Sequence, residues 1–124
     1  MSHNYPPALT ALAEKIMTAQ HTWTNEAELQ ASIDAALKTA GYSPTREVAL
    51  SSGLGRVDLM VGKVGIEVKI AGSWQQLTRQ VMRYTHAPEI GAVLVVTTKA
   101  AHARNVPVQA NGKPILTIFL NGAF

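Results

Sequence analysis

The sequence has 124 residues, enough for one compact domain with a core that needs no covalent staples. Apolar residues make up 47% and cysteine is absent, which argues against disorder and excludes disulfides and cysteine-based zinc sites. The net charge is +3, but residues 1–50 hold three basic against five acidic side chains, while residues 51–124 hold eight against three. That bias suits a polyanionic partner.

No apolar run is long enough to span a membrane, and Met1 to Pro7 lacks the basic-then-apolar pattern of a signal peptide, so a cytoplasmic setting is expected. Residues 8–20 read as a helix with Leu9, Leu12, Ile16 and Met17 at helical spacing. A second helix is capped by Thr24 or Asn25, buries Leu29, Ile33 and Leu37, and stops at Gly41. Residues 45–50 form a strand, and Ser51 to Gly55 a loop whose glycines suit a tight reversal. Strands follow at 56–61 and 64–70, then a helix from about Ser73 to His86, ended by Pro88. Residues 92–97 are nearly all apolar, as in a strand covered on both faces. A helical turn near 99–105 and a strand at 115–120 close the domain. Helices flanking a mixed sheet give an α/β sandwich.

The hairpin carries the chemistry. With Gly62-Lys63 as a two-residue turn of the II′ kind, Val61 faces Val64, Leu59 faces Ile66, Asp58 faces Glu67 and Arg56 faces Lys69. Alternation then puts Val57, Leu59, Val61, Val64, Ile66, Val68 and Ile70 on one face, and Arg56, Asp58, Met60, Gly65, Glu67 and Lys69 on the other. Two carboxylates opposed at roughly 4.5–5.5 Å between Cβ atoms repel each other. Arg56 and Lys69 offset this as a surface charge lattice, or a divalent cation does so by bridging the pair; Mg²⁺ takes one or two carboxylates plus water and phosphate oxygens. Glu26 lies three, seven and eleven residues before Leu29, Ile33 and Leu37, beside the buried stripe of its helix, where a carboxylate needs a partner or complements the helix dipole. In the helix after the hairpin, Trp74, Leu77, Val81 and Tyr84 form the apolar stripe, with Gln76, Gln80 and Arg83 beside it and Arg79 and Arg83 one turn apart. Such a row can contact phosphates. His3, His21, His86 and His102 lack metal-ligand spacing and read as surface or helix-end residues.

Asp58, Glu67 and Lys69 make the pattern D-x8-E-x-K. With Glu26 in TNEAELQ, Asp58 in GRVDLMV, Glu67 and Lys69 in GIEVKI, and Gln80 with Tyr84 in RQVMRY, the sequence resembles the PD-(D/E)XK nuclease superfamily, including a RecB-like Q-x-x-x-Y element. The resemblance spans about residues 24–98, in α-β-β-β-α-β order, within a single domain of residues 1–124. Val57 stands where the name-giving proline would be. The resemblance implies a restriction-endonuclease-like fold and hydrolysis of DNA phosphodiester bonds, with RNA as an alternative polymer. It implies Asp58 and Glu67 as ligands of Mg²⁺ or Mn²⁺, with the Val68 carbonyl as a further ligand. Lys69 is expected to act on water or transition-state charge, and Glu26 to complete the catalytic set. Arg56, Arg79, Gln80, Arg83 and Tyr84 are the expected nucleic-acid-binding residues. A homodimer, using Trp23, Phe119 and Phe124 as contact surface, would place two sites on two strands. The alternative is an inactive nuclease fold that binds DNA or a protein without cutting.

Overall fold

The computed structural model describes residues 5–121; His3 and Phe124 lie outside them. Helix α1 (Pro7–Thr18) opens on a proline at its first position, where no amide partner is needed. Helix α2 (Glu26–Thr39) is capped by the Asn25 side chain, which accepts the Glu28 amide. Glu28 reaches back to the amide and hydroxyl of Thr24, so this exposed acid closes the cap.

Strand β1 (Thr45–Ala49) leads through a 3-10 turn at Ser51–Gly53 to β2 (Arg56–Val61) and β3 (Val64–Lys69). Helix α3 (Trp74–Tyr84) follows, capped by Ser73 through the Gln76 amide. Strand β4 (Ala92–Thr97), helix α4 (Ala100–Asn105), β5 (Gln109–Ala110) and β6 (Lys113–Phe119) complete the described chain. The six strands form one sheet in the order β1-β2-β3-β4-β6-β5. Pairing is antiparallel from β1 to β3, parallel through β3, β4 and β6, and antiparallel at β5. This is an α/β mixed sheet flanked by helices.

Each face of the sheet carries its own core. One packs Leu9, Leu12 and Ile16 of α1 and Leu29, Ile33 and Leu37 of α2 against Leu59, Ile66, Val68, Leu94 and Val96. The other packs Leu77, Val81 and Tyr84 of α3 against Val57, Val93 and Val95. All six residues of β4 are buried, which explains their nearly uniform apolarity. Among the described residues, no helix is long and apolar enough to cross a membrane.

Some details depart from the sequence reading. Met17 is 55% exposed rather than part of the α1 stripe. Strand β6 starts two residues early because Asn111-Gly112, both at positive φ, turn β5 back onto it with Ala110 facing Lys113. The third departure is at Val57, which packs with α3 while Leu59 packs with α1 and α2. The strict division of the hairpin into one apolar and one polar face therefore breaks at Asp58, between them. Opposite this break, Glu47 of β1 adopts φ 53° and drops out of the otherwise regular β1–β2 register.

Candidate active site

The β2–β3 ladder runs from Val61↔Val64 to Leu59↔Ile66, as the Gly62-Lys63 turn dictates, and stops there. Gly62 has φ 57°, which a side chain rarely tolerates. One step further, where Asp58 would pair with Glu67, the strands part. The Val68 amide donates instead to Asp58 Oδ2 at 2.7 Å. A side-chain oxygen has replaced a ladder acceptor, so the half-buried Asp58 carboxyl is fixed between the strands and the Val68 peptide sits beside it.

Glu67 is only 2% exposed, on the α3 side of the sheet. Tyr84, fully buried on α3, puts its hydroxyl 3.0 Å from Glu67 Oε1 and 2.9 Å from the Arg56 carbonyl oxygen. The phenol proton is shared between these two acceptors, the Arg56 carbonyl and the Glu67 carboxyl. Burial first, then the Asp58 charge, pushes the Glu67 carboxyl up to about 8. Burial, then Glu26 and Glu47, outweighs the Val68 hydrogen bond and raises Asp58 to about 6. Burial and the neighbouring Glu67 push the Tyr84 phenol far above its ordinary range, and Gln80, hydrogen-bonded to it, offsets a little.

Lys69 ends β3 with its ammonium 3.6 Å from Glu67 Oε2 and its side chain one-quarter exposed. It therefore joins the buried acids to solvent. Glu26 approaches from α2, where its Oε2 lies 3.5 Å from the Ile70 amide. On the outer side, Lys69, Ala71, Gly72, Ser73 and α3 enclose a groove of about 350 Å³. Gln76, Arg79, Gln80 and Arg83 line it, and among the described residues no acidic or aromatic side chain does.

Glu26, Asp58, Glu67, Lys69, Gln80 and Tyr84 thus converge at one end of β3, and Arg79 and Arg83 share the adjoining groove. Arg56 stands apart: it is exposed and makes a loose 3.7 Å contact with Glu47 at the sheet edge, and only its carbonyl meets the site. His102 lies in the last turn of α4, a helix-end position, but its side chain is fully buried rather than at the surface. Its ring nitrogens lie 2.7 Å from Thr97 Oγ1 and 2.9 Å from the Gly72 carbonyl. His21 bridges the Ser32 hydroxyl and the Ile16 carbonyl. Nothing in the spacing of the histidines distinguished these two roles.

The donor set suits a hard divalent cation. Burial raises both carboxyls, and the Asp58 charge raises Glu67 further; a cation relieves that cost by replacing bound protons. Among the described residues, no three His, Cys, Asp or Glu side chains converge as a metal cage. An ion at Asp58 and Glu67 would need backbone and water oxygens as well, which is how Mg²⁺ is ordinarily held. In comparisons with known proteins, no family model, curated protein sequence or solved structure matches this chain.

Proposed function

We propose that the chain is a metal-dependent nuclease of restriction-endonuclease-like architecture, hydrolysing phosphodiester bonds in DNA. The observation that carries this reading is the pairing of half-buried Asp58 with buried Glu67, linked through Lys69 to a groove lined by Arg79 and Arg83. Acids raised by burial and neighbouring charge, opening onto a cationic groove, mark a candidate functional site.

Asp58, Glu67 and the Val68 carbonyl would hold Mg²⁺ or Mn²⁺. When bound, the ion supplies Lewis-acid polarisation of a phosphate oxygen and acidifies water. The chain's own residues do the rest. Val68 fixes the Asp58 carboxyl through its amide, and Tyr84 fixes Glu67, so neither acid reorganises on binding substrate. The Lys69 ammonium offsets charge gathering on the phosphoryl oxygens as water attacks phosphorus and the ester oxygen departs. Arg79 and Arg83 hold flanking phosphates in the groove, and Glu26 adds negative charge on the α2 side.

The near-complete burial of Glu67 also favours a second reading, a fold that binds nucleic acid or a partner through the groove without cutting. Incubation of plasmid and branched DNA with Mg²⁺, Mn²⁺ or EDTA separates the two. Cleavage with metal, lost a hundredfold or more in Asp58→Ala and Lys69→Ala, supports the nuclease. Equal rates in wild type and variants defeat it, and binding with no cleavage of any substrate establishes the second reading. Whether two copies act together on a duplex is read by light scattering with and without DNA.

A further inference from the structure

The buried His102 ring ties the end of β4 to the turn that carries Lys69 into α3. Thr97 of β4 lies in register with Lys69, and the Thr98 amide donates to the Lys69 carbonyl at 3.2 Å. Two residues on, the Lys99 amide donates to Thr97 Oγ1 at 3.1 Å. The Thr97 hydroxyl lies 2.7 Å from His102 Nδ1, and His102 Nε2 lies 2.9 Å from the Gly72 carbonyl.

The Gly72 carbonyl only accepts, so Nε2 carries a proton. In the tautomer with Nε2 alone protonated, Nδ1 accepts from the Thr97 hydroxyl, which itself accepts from the Lys99 amide. Every polar atom in this buried chain is satisfied, which makes the arrangement costly to loosen.

The ends of the turn are held by the Thr98 amide on the Lys69 carbonyl and by the Ser73 cap of α3, and its middle by His102. Residues Ala71, Gly72 and Ser73 are exposed, and Gly72 sits at φ 90°. From the α2 side, the Ile70 amide reaches Glu26 only at 3.5 Å. Yet this turn forms one wall of the groove and begins immediately after Lys69.

We propose that His102 is a positioning residue. By gripping the Gly72 carbonyl from the β4–α4 side, it sets the Lys69–Ser73 turn and so holds the Lys69 ammonium and the groove wall against the acid pair. The effect on catalysis rests on the nuclease reading; the grip on the turn does not.

The test compares His102→Asn with His102→Gln. An asparagine amide can still meet Thr97 but falls short of Gly72, whereas a glutamine amide nitrogen reaches the Gly72 carbonyl. Amide hydrogen exchange across residues 70–76 is expected to quicken tenfold or more in His102→Asn and to stay near wild type in His102→Gln. Cleavage at saturating DNA is expected to fall tenfold or more in His102→Asn, with DNA affinity in EDTA within twofold of wild type, and to recover in His102→Gln. If the His102 variants do not fold, Thr97→Val against Thr97→Ser carries the same comparison. Unchanged exchange over residues 70–76, or equal loss of protection across the whole sheet in both members of a pair, overturns the proposal. A wild-type chain that never cuts DNA sinks the nuclease reading alone, and exchange still decides the role of His102.

Discussion

Replacing Glu67 with glutamine tests the electrostatics of the acid pair without requiring catalysis. The Glu67 carboxyl is raised in the folded chain to about 8 from an ordinary value of 4.5. A raised acid binds its proton more tightly when folded than when unfolded. Its contribution to stability is therefore complete below the unfolded value and is lost as pH climbs through the folded one. At about 1.4 kcal/mol per pKa unit, the loss between pH 4.5 and pH 8 is on the order of 3–5 kcal/mol. For a chain of this length that is roughly 10 °C or more in Tm. Glutamine keeps the shape and polar contacts of a protonated carboxyl but cannot ionise. Thermal unfolding by circular dichroism, without divalent ions, should show similar Tm values for wild type and Glu67→Gln at pH 5 and a clearly higher one for the variant at pH 8.5. Adding Mg²⁺ should raise the wild type at pH 8.5, by about 2.7 kcal/mol at one hundred times its Kd, and leave the variant unmoved. A wild-type-minus-variant difference that stays flat from pH 5 to 8.5 would refute the burial argument.

Three further outcomes follow. Tyr84→Phe strips the hydroxyl from Glu67 and the Arg56 carbonyl, and should cost about 1–3 kcal/mol in urea unfolding by leaving buried acceptors unmet. Gly55→Ala would set its Cβ 2.7 Å from the Tyr84 ring at a backbone φ of 125°; a drop of about 2 kcal/mol or more, with cleavage reduced alongside, is expected. Arg79→Ala with Arg83→Ala should weaken binding to duplexes of unrelated sequence alike in EDTA, and flatten the log–log salt slope by about 2 if both contact phosphate. An unchanged slope, measured by fluorescence anisotropy, would remove these arginines from the interface.

Much of the fold was legible because its signals are local. The helical stripes of α2 and α3, the Asn25 and Ser73 caps, the Gly62-Lys63 turn and the wholly apolar β4 each carry their own pattern, and the structure keeps them. What escaped depends on partners distant in sequence. Val57 looked like the next member of an alternating face, but the strands part at Asp58 and β2 turns that side chain toward α3. The Asn111-Gly112 hairpin carries only an ordinary turn signature, and its partner β5 is two residues long, too short to show a strand pattern. His102 offered no pattern: Thr97 is close in sequence, but Gly72, the residue that gives it meaning, is thirty positions away. At the site, spacing placed Asp58, Glu67 and Lys69 together, and Tyr84 with Gln80 joined them through the resemblance. Only coordinates reveal that Glu67 is buried, that Asp58 substitutes for a ladder acceptor, and that Arg56 turns away to Glu47.

Calorimetric titration of Mn²⁺ into the metal-free protein at pH 7 probes the central claim most directly. The account predicts saturable uptake by the wild type, with heats that vary with buffer because bound protons are released from Asp58 and Glu67. It predicts no uptake by Asp58→Asn or Glu67→Gln. A wild type that takes up no divalent ion even with duplex DNA present, or variants that bind as well as it does, would contradict the assignment of this acid pair as a cation site.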